Sequence, residues 1–145
     1  MGWDECKRDF VRVVEVDNER VESLVEAALS RLNRARKSDV KDGVSLIVDD
    51  YYEVVKELLI AYMLKLGFRS KNHQCLFTFF YVQNPELEGE AVLMQQMSFF
   101  RNRLEYYGEK VPSSFYEKNK GEFERIIKLL LVLVKKNVSN GGIVK

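Results

Sequence analysis

Histidine is nearly missing from this sequence. One residue, His73, stands among 145, which excludes any site built from two imidazoles of one chain, whether a multi-histidine zinc centre or a two-histidine acid–base pair. Cysteine is almost as scarce: Cys6 and Cys75 lie too far apart for metal-binding or redox spacing, so two reduced thiols are expected. No phosphate-cradling glycine loop, nucleophile elbow, internal repeat or low-complexity tract is present. Long apolar runs are also absent. The most apolar one, 126–134, holds a lysine and spans nine residues, against about 20 for a bilayer crossing, so no membrane association is expected. The start, Met1-Gly2-Trp3-Asp4-Glu5, lacks the basic, apolar, small-residue order of a signal peptide, and a cytoplasmic location is expected. Finally, there is no excess of either charge: 23 basic against 22 acidic residues, a formal net charge of +1. The chain exerts no global pull on nucleic acid, and any RNA contact must come from a local patch.

What is present is helical periodicity. A length of 145 residues suits one domain, 1–145, able to bury its own core. Val21, Leu24, Val25, Ala28, Leu32 and Ala35 recur at steps of three and four and predict a helix over about 18–37. Val44, Ile47, Val48, Tyr51, Val55, Leu58, Leu59 and Tyr62 predict a second over about 39–66, closed by Gly67. Ser70 or Asn72 opens a third, rich in phenylalanine, that runs to Asn84. Asn84-Pro85-Glu86 reads as the start of a fourth, which Gly108 and Pro112 end; Ser114-Phe115-Tyr116-Glu117 reads as a capping box for the last, with Phe123, Ile126, Ile127, Leu130, Leu131 and Val134 on its buried stripe. Residues 10–16 alternate like a strand, but a lone strand lacks a partner, so 1–16 is expected to be an extended arm and 137–145 a flexible tail. The predicted class is all-α, an up-and-down antiparallel bundle of four to five helices.

The chemistry-bearing stretch is Arg101-Asn102-Arg103-Leu104-Glu105-Tyr106-Tyr107-Gly108. Residues five apart on a helix point about 140 degrees apart, near enough to address one interhelical cleft. Arg101 and Asn102 offer a planar donor fork and an amide, suited to a phosphate or to a buried carboxylate such as Glu53 or Glu57 of the second helix. The stretch resembles the Arg-Asn-x-x-x-His motif of HEPN ribonucleases, with Tyr106 where the histidine stands. The segments Val13-Val14-Glu15-Val16-Asp17, Asp50-Tyr51-Tyr52-Glu53 and 67–76 are similar to prokaryotic HEPN proteins as well, so the resemblance covers roughly 12–135.

The resemblance implies a HEPN-like bundle, a homodimer in which the motif helices of two subunits converge, and a ligand that is RNA, a nucleotide or a minimal nucleotidyltransferase partner in a toxin–antitoxin setting. Ligand contacts would come from Arg101, Asn102, Tyr106, Tyr107 and Glu53; any remaining catalysis would rest on Arg101, Asn102 and Tyr106. No cofactor and no metal is expected. Some similar toxins are modified on a tyrosine two places beyond the motif histidine; here that place is Gly108, one step from Tyr107. A free phenol has a pKa of about 10 against about 6.5 for imidazole, so Tyr106 predicts a weakened or lost ribonuclease. An active metal-independent endoribonuclease and a ligand-free scaffold are the alternatives. Three further features are read as structural. His73 caps or packs, at least one of Tyr106 and Tyr107 is buried, and the acids Asp49, Asp50, Glu53 and Glu57 form a solvated or ion-paired face. Arg31, Arg34, Arg36 and Lys37 read as ordinary surface, with a phosphate track as the alternative.

Overall fold

Asp17 starts the first long helix by accepting a hydrogen bond from the Arg20 amide (3.1 Å), so the residues that follow enter helical geometry with one of their orphan donors satisfied. In this computed structural model, which describes residues 2–136, the chain is an all-α bundle. Its elements in order are α1 (Trp3–Asp9), β1 (Val11–Val13), α2 (Asn18–Lys37), α3 (Val44–Lys65), β2 (Phe68–Ser70), α4 (His73–Gln83), α5 (Glu88–Tyr107) and α6 (Ser113–Lys135), with short 3-10 turns at Val40–Asp42 and Pro85–Leu87. The tail 137–145 lies outside the described residues.

α3 is the axis of the bundle. Its periodic stripe is buried from Ile47 to Tyr62, with Val44 partly covered, and Tyr52, Val54, Ala61, Met63 and Leu64 are buried too, because α2, α4, α5 and α6 all pack on it. α2 runs antiparallel to α3, as its ion pairs record: Arg34 Nη2 to Asp50 Oδ1 at 2.5 Å and Arg31 Nε to Glu57 Oε1 at 3.2 Å. Arg31, Arg34 and Arg36 of α2 are thus spent holding helices together, with Arg36 reaching Glu124 of α6 at 2.6 Å. That disfavours a phosphate track there.

One link departs from simple up-and-down alternation. Tyr52 and Tyr62 of α3 contact His73 and Asn84 at opposite ends of α4, at 3.0 and 3.2 Å, so α3 and α4 run in the same direction. The extended segment carrying β2 returns the chain along α3 before α4 begins. Gly67 makes the reversal possible: its φ of 88° is costly for a residue with a side chain, and its carbonyl accepts from the Val14 amide at 2.9 Å. β2 finds its partner in β1, antiparallel, with Val11 opposite Ser70, Arg12 opposite Arg69 and Val13 opposite Phe68.

The N-terminal residues therefore correct the expectation of an extended arm. α1 packs Trp3 against Phe79 and Phe68, with ring centroids 5.4 and 6.3 Å apart. The expectation of two reduced thiols is corrected as well: Cys6 of α1 and Cys75 of α4 form a disulfide, both sulfurs belonging to fully buried residues. Of the two residues expected to open α4, Asn72 caps it, accepting from the Cys75 amide at 3.1 Å. The other helix starts differ from expectation. Gly43, at φ 128°, separates a 3-10 turn from α3, so that helix begins later than 39, and no side chain caps α6, so the capping box does not form. α5 follows a separate turn at Pro85 and ends where Gly108 takes the left-handed conformation (φ 65°).

Candidate functional site

On α3 the side chains of Asp49, Tyr52, Glu53 and Lys56 fall at steps of three and four, a polar stripe on a helix otherwise packed with apolar groups. α5 lays Ser98 and Arg101 against that stripe, and the first turn of α4 brings His73 to it. Arg101, with 20% of its side chain exposed, is held by three carboxylates: Asp49 Oδ1 at 3.5 Å from Nε, Glu53 Oε1 at 3.3 Å and Glu105 Oε1 at 4.0 Å from Nη2. Its guanidinium lies 5.7 Å from the centre of the Tyr52 ring. Glu53 bridges to Lys56 at 2.6 Å. Of the two acids considered for Arg101, the structure selects Glu53; Glu57 belongs to Arg31.

The fit is incomplete at one point. Arg101 Nε and Asp49 Oδ1 form an ion pair without a well-aligned hydrogen bond, and both atoms are buried with no other partner. Burial outweighs the attraction of Arg101 and raises the Asp49 carboxyl above its usual range. Beside this pair, Tyr52 Oη stands 3.0 Å from His73 Nδ1 and 3.5 Å from Ser98 Oγ. Burial, then Lys56 and Arg101, lower the imidazole below its ordinary pKa. His73 is therefore neutral at pH 7, a form that accepts the Tyr52 proton at Nδ1 when its own proton sits on Nε2.

Because the folded-state value is depressed, protonation favours the unfolded chain, and stability linked to His73 is lost as the pH falls below about 6.5. Urea unfolding of wild type and His73→Gln between about pH 7.5 and 5.5 isolates this contribution. The variant should lose less stability over that range than wild type; equal slopes would show that His73 is as easily protonated in the fold as outside it.

The other motif residues do not join Arg101. Tyr106 and Tyr107 are 74% and 70% exposed, which corrects the expectation that one of them is buried. Tyr106 shares no hydrogen bond, ion pair or ring contact with Arg101 among the described residues. The aromatics instead form an exposed cluster, with the Arg103 guanidinium 5.6 Å from the Phe99 ring and 5.3 Å from the Tyr107 ring while it pairs with Glu109 at 2.5 Å. Asn102 is half-buried and its side chain has no hydrogen bond among the described residues. The acids of α3 are ion-paired, and no group of residues able to hold a metal ion occurs among the described residues. No helix there is long and apolar enough to cross a membrane.

Tyr52, Lys56, Ser98 and His73 are the members of this cluster that motif reading passes over. The signal for Tyr52 and Lys56 was the polar stripe of α3; for His73 and Ser98 there was none, because only the parallel course of α3 and α4 brings His73 to Tyr52.

No family model, no curated protein and no solved structure matches this chain.

Proposed function

We propose that this protein is a HEPN-type helical module that pairs with a second copy of itself, engages RNA, a nucleotide or a nucleotidyltransferase partner, and does not cleave RNA. The observation that carries the reading is the state of the motif. Arg101 is turned into a nest of carboxylates that repels a phosphate, and Tyr106, where the motif has its histidine, is exposed to solvent. Self-association is supported by the exposed Phe99 and Tyr107 around Arg103, with Tyr106 exposed on the same turn, since aromatic residues and arginine dominate the centres of protein interfaces. Tyr107 presents a free hydroxyl to a modifying partner at the same end of α5. In the cytoplasm, a buried disulfide is most at home in a heat-adapted organism, and a chain that is 31% charged residues suits the same setting.

An active endoribonuclease is the second reading, favoured by one arrangement: His73 meets the Tyr52 hydroxyl and Arg101 lies over the Tyr52 ring, so one tyrosine joins a base and a cation. One experiment separates the readings. Purified protein is sized by light scattering and incubated with RNA and chelator, alongside Tyr107→Asp. The expected result is a wild-type dimer, a variant shifted to monomer, and cleavage at least about 100-fold below that of a protein with a working general base. A wild-type monomer at micromolar concentration sinks the self-pairing, and metal-independent cleavage abolished by His73→Gln establishes the second reading.

A further inference from the structure

The β1–β2 ribbon carries a charge arrangement that the motif does not explain. Arg12 and Arg69 are direct cross-strand partners. Like charges so placed destabilise a strand pair, and a three-residue ribbon has little pairing to offset the repulsion. Neither arginine forms an ion pair among the described residues. The cost is relieved when an anion sits between them.

Beneath the ribbon, against α3 and the start of α4, lies a cavity of about 270 Å³ lined by Arg20, Lys56, Arg69, Lys71 and His73, with no carboxylate among the residues that line it. Lys56 is partly neutralised from behind by Glu53 at 2.6 Å, while Arg20, Arg69 and Lys71 have no ion pair among the described residues. The floor is apolar: Ile60, Met63 and Phe68. On the other side of β2 a second cavity of about 420 Å³ shares Arg69, Ser70 and Lys71 and adds Arg12; its one acid, Asp9, is already held by Arg8 at 3.0 Å.

We propose that this ribbon pocket binds a nucleotide, with the phosphate held by Arg69 and Lys71 and the base or sugar laid on the apolar floor. Cations without acids select a phosphate, and the apolar floor gives the ligand a ring to bury. At about 270 Å³ the first cavity falls just below the usual span of ligand sites, roughly 300 to 1,000 Å³, so it takes at most one nucleotide and not a strand. Specificity for phosphate follows from Arg69, whose planar fork matches two oxygens, with Lys71 as a point charge beside it. The inference deepens the nucleotide branch of the reading above, but places the ligand away from Arg101.

Calorimetric titration of the full chain with AMP and with adenosine tests it. AMP should bind, adenosine should bind at least tenfold more weakly, and Arg69→Ala and Lys71→Ala should each weaken AMP about tenfold to a hundredfold. Arg69→Lys keeps the charge but not the fork, so it should bind AMP more weakly than wild type and more tightly than Arg69→Ala. Because Arg12 and Arg69 repel, Arg69→Ala should melt no lower than wild type, so its loss of binding is not a loss of folding; Lys71→Ala, at an exposed position, provides an independent variant. Equal affinity for AMP and adenosine, or alanine variants that bind as wild type does, would overturn the proposal. So would binding of a short RNA with none of AMP, which would assign the ribbon to a strand. A dimeric, non-cleaving protein that fails to bind AMP defeats this inference alone; a monomer that binds AMP defeats the self-pairing alone.

Discussion

Reduction of the Cys6–Cys75 bridge should lower the unfolding free energy by about 4 kcal/mol, the chain-entropy value for a loop of this length. For a chain of 145 residues that corresponds to a fall in Tm on the order of 10 °C. The bridge ties α1, and through it β1, to α4, so the loss should concentrate at the N-terminal end of the chain. Hydrogen exchange should quicken in Trp3–Asp9 and Val11–Val13 well before it does in α3. Both cysteines are fully buried, so a reductant should attack only after local opening, and reduction under native conditions should be slow. Cys6→Ser/Cys75→Ser supplies the equilibrium version of the test. Superimposable melts of oxidised and reduced protein would mean that packing of Trp3 on Phe79 and Phe68 already restricts the chain as much as the bridge does.

How much of this was legible follows the range of the interactions involved. α2, α3 and α6 announce themselves because their buried faces depend on local spacing: Val21, Ala28, Leu32 and Ala35 are buried in α2, and Phe123, Ile126, Ile127, Leu130 and Val134 in α6. Gly67 and Gly108 were legible as helix ends for the same reason, since only a glycine accepts their backbone conformation at little cost. The ribbon was not. Each strand is three residues long and its partner is separated from it by two whole helices, so neither carries a pairing signal that survives on its own. The disulfide escaped for a related cause, because β2 must first reverse the chain before α4 can present Cys75 to Cys6. The site divides along the same line. Glu53 as a partner for Arg101 could be guessed from residue types, whereas Tyr52 joining Arg101 to His73 required the direction of α4. Tyr106 and Tyr107 misled because their residue type suggests burial, whereas the last residues of α5, from Glu105 on, are exposed.

Arg101→Ala should destabilise the fold by about 3 kcal/mol, the lower part of the range for removing one partner of a largely buried ion pair. Glu53 keeps Lys56 as a partner, so most of the cost falls on Asp49, whose carboxyl is already raised by burial and would lose the cation that holds it ionised. The substitution also removes the packing of the guanidinium on Tyr52, and with it part of the support for the Tyr52–His73 contact. Arg101→Ala/Asp49→Asn should therefore recover stability relative to Arg101→Ala, giving a coupling of about 1 to 2 kcal/mol in a double-mutant cycle read by urea unfolding. If Arg101 were kept free for a phosphate, the pattern would reverse. Its removal would relieve a desolvated cation, leave stability unchanged within about 0.5 kcal/mol, and weaken a phosphate-bearing ligand instead. Three carboxylates within 4.0 Å of one guanidinium argue for the first outcome: the local charge is negative, the arginine balances it, and an incoming phosphate would have to displace Asp49 or Glu53 before it gained a single hydrogen bond. The residue that most resembles a ribonuclease signature thus acts here as the counter-charge that lets α5 pack on α3.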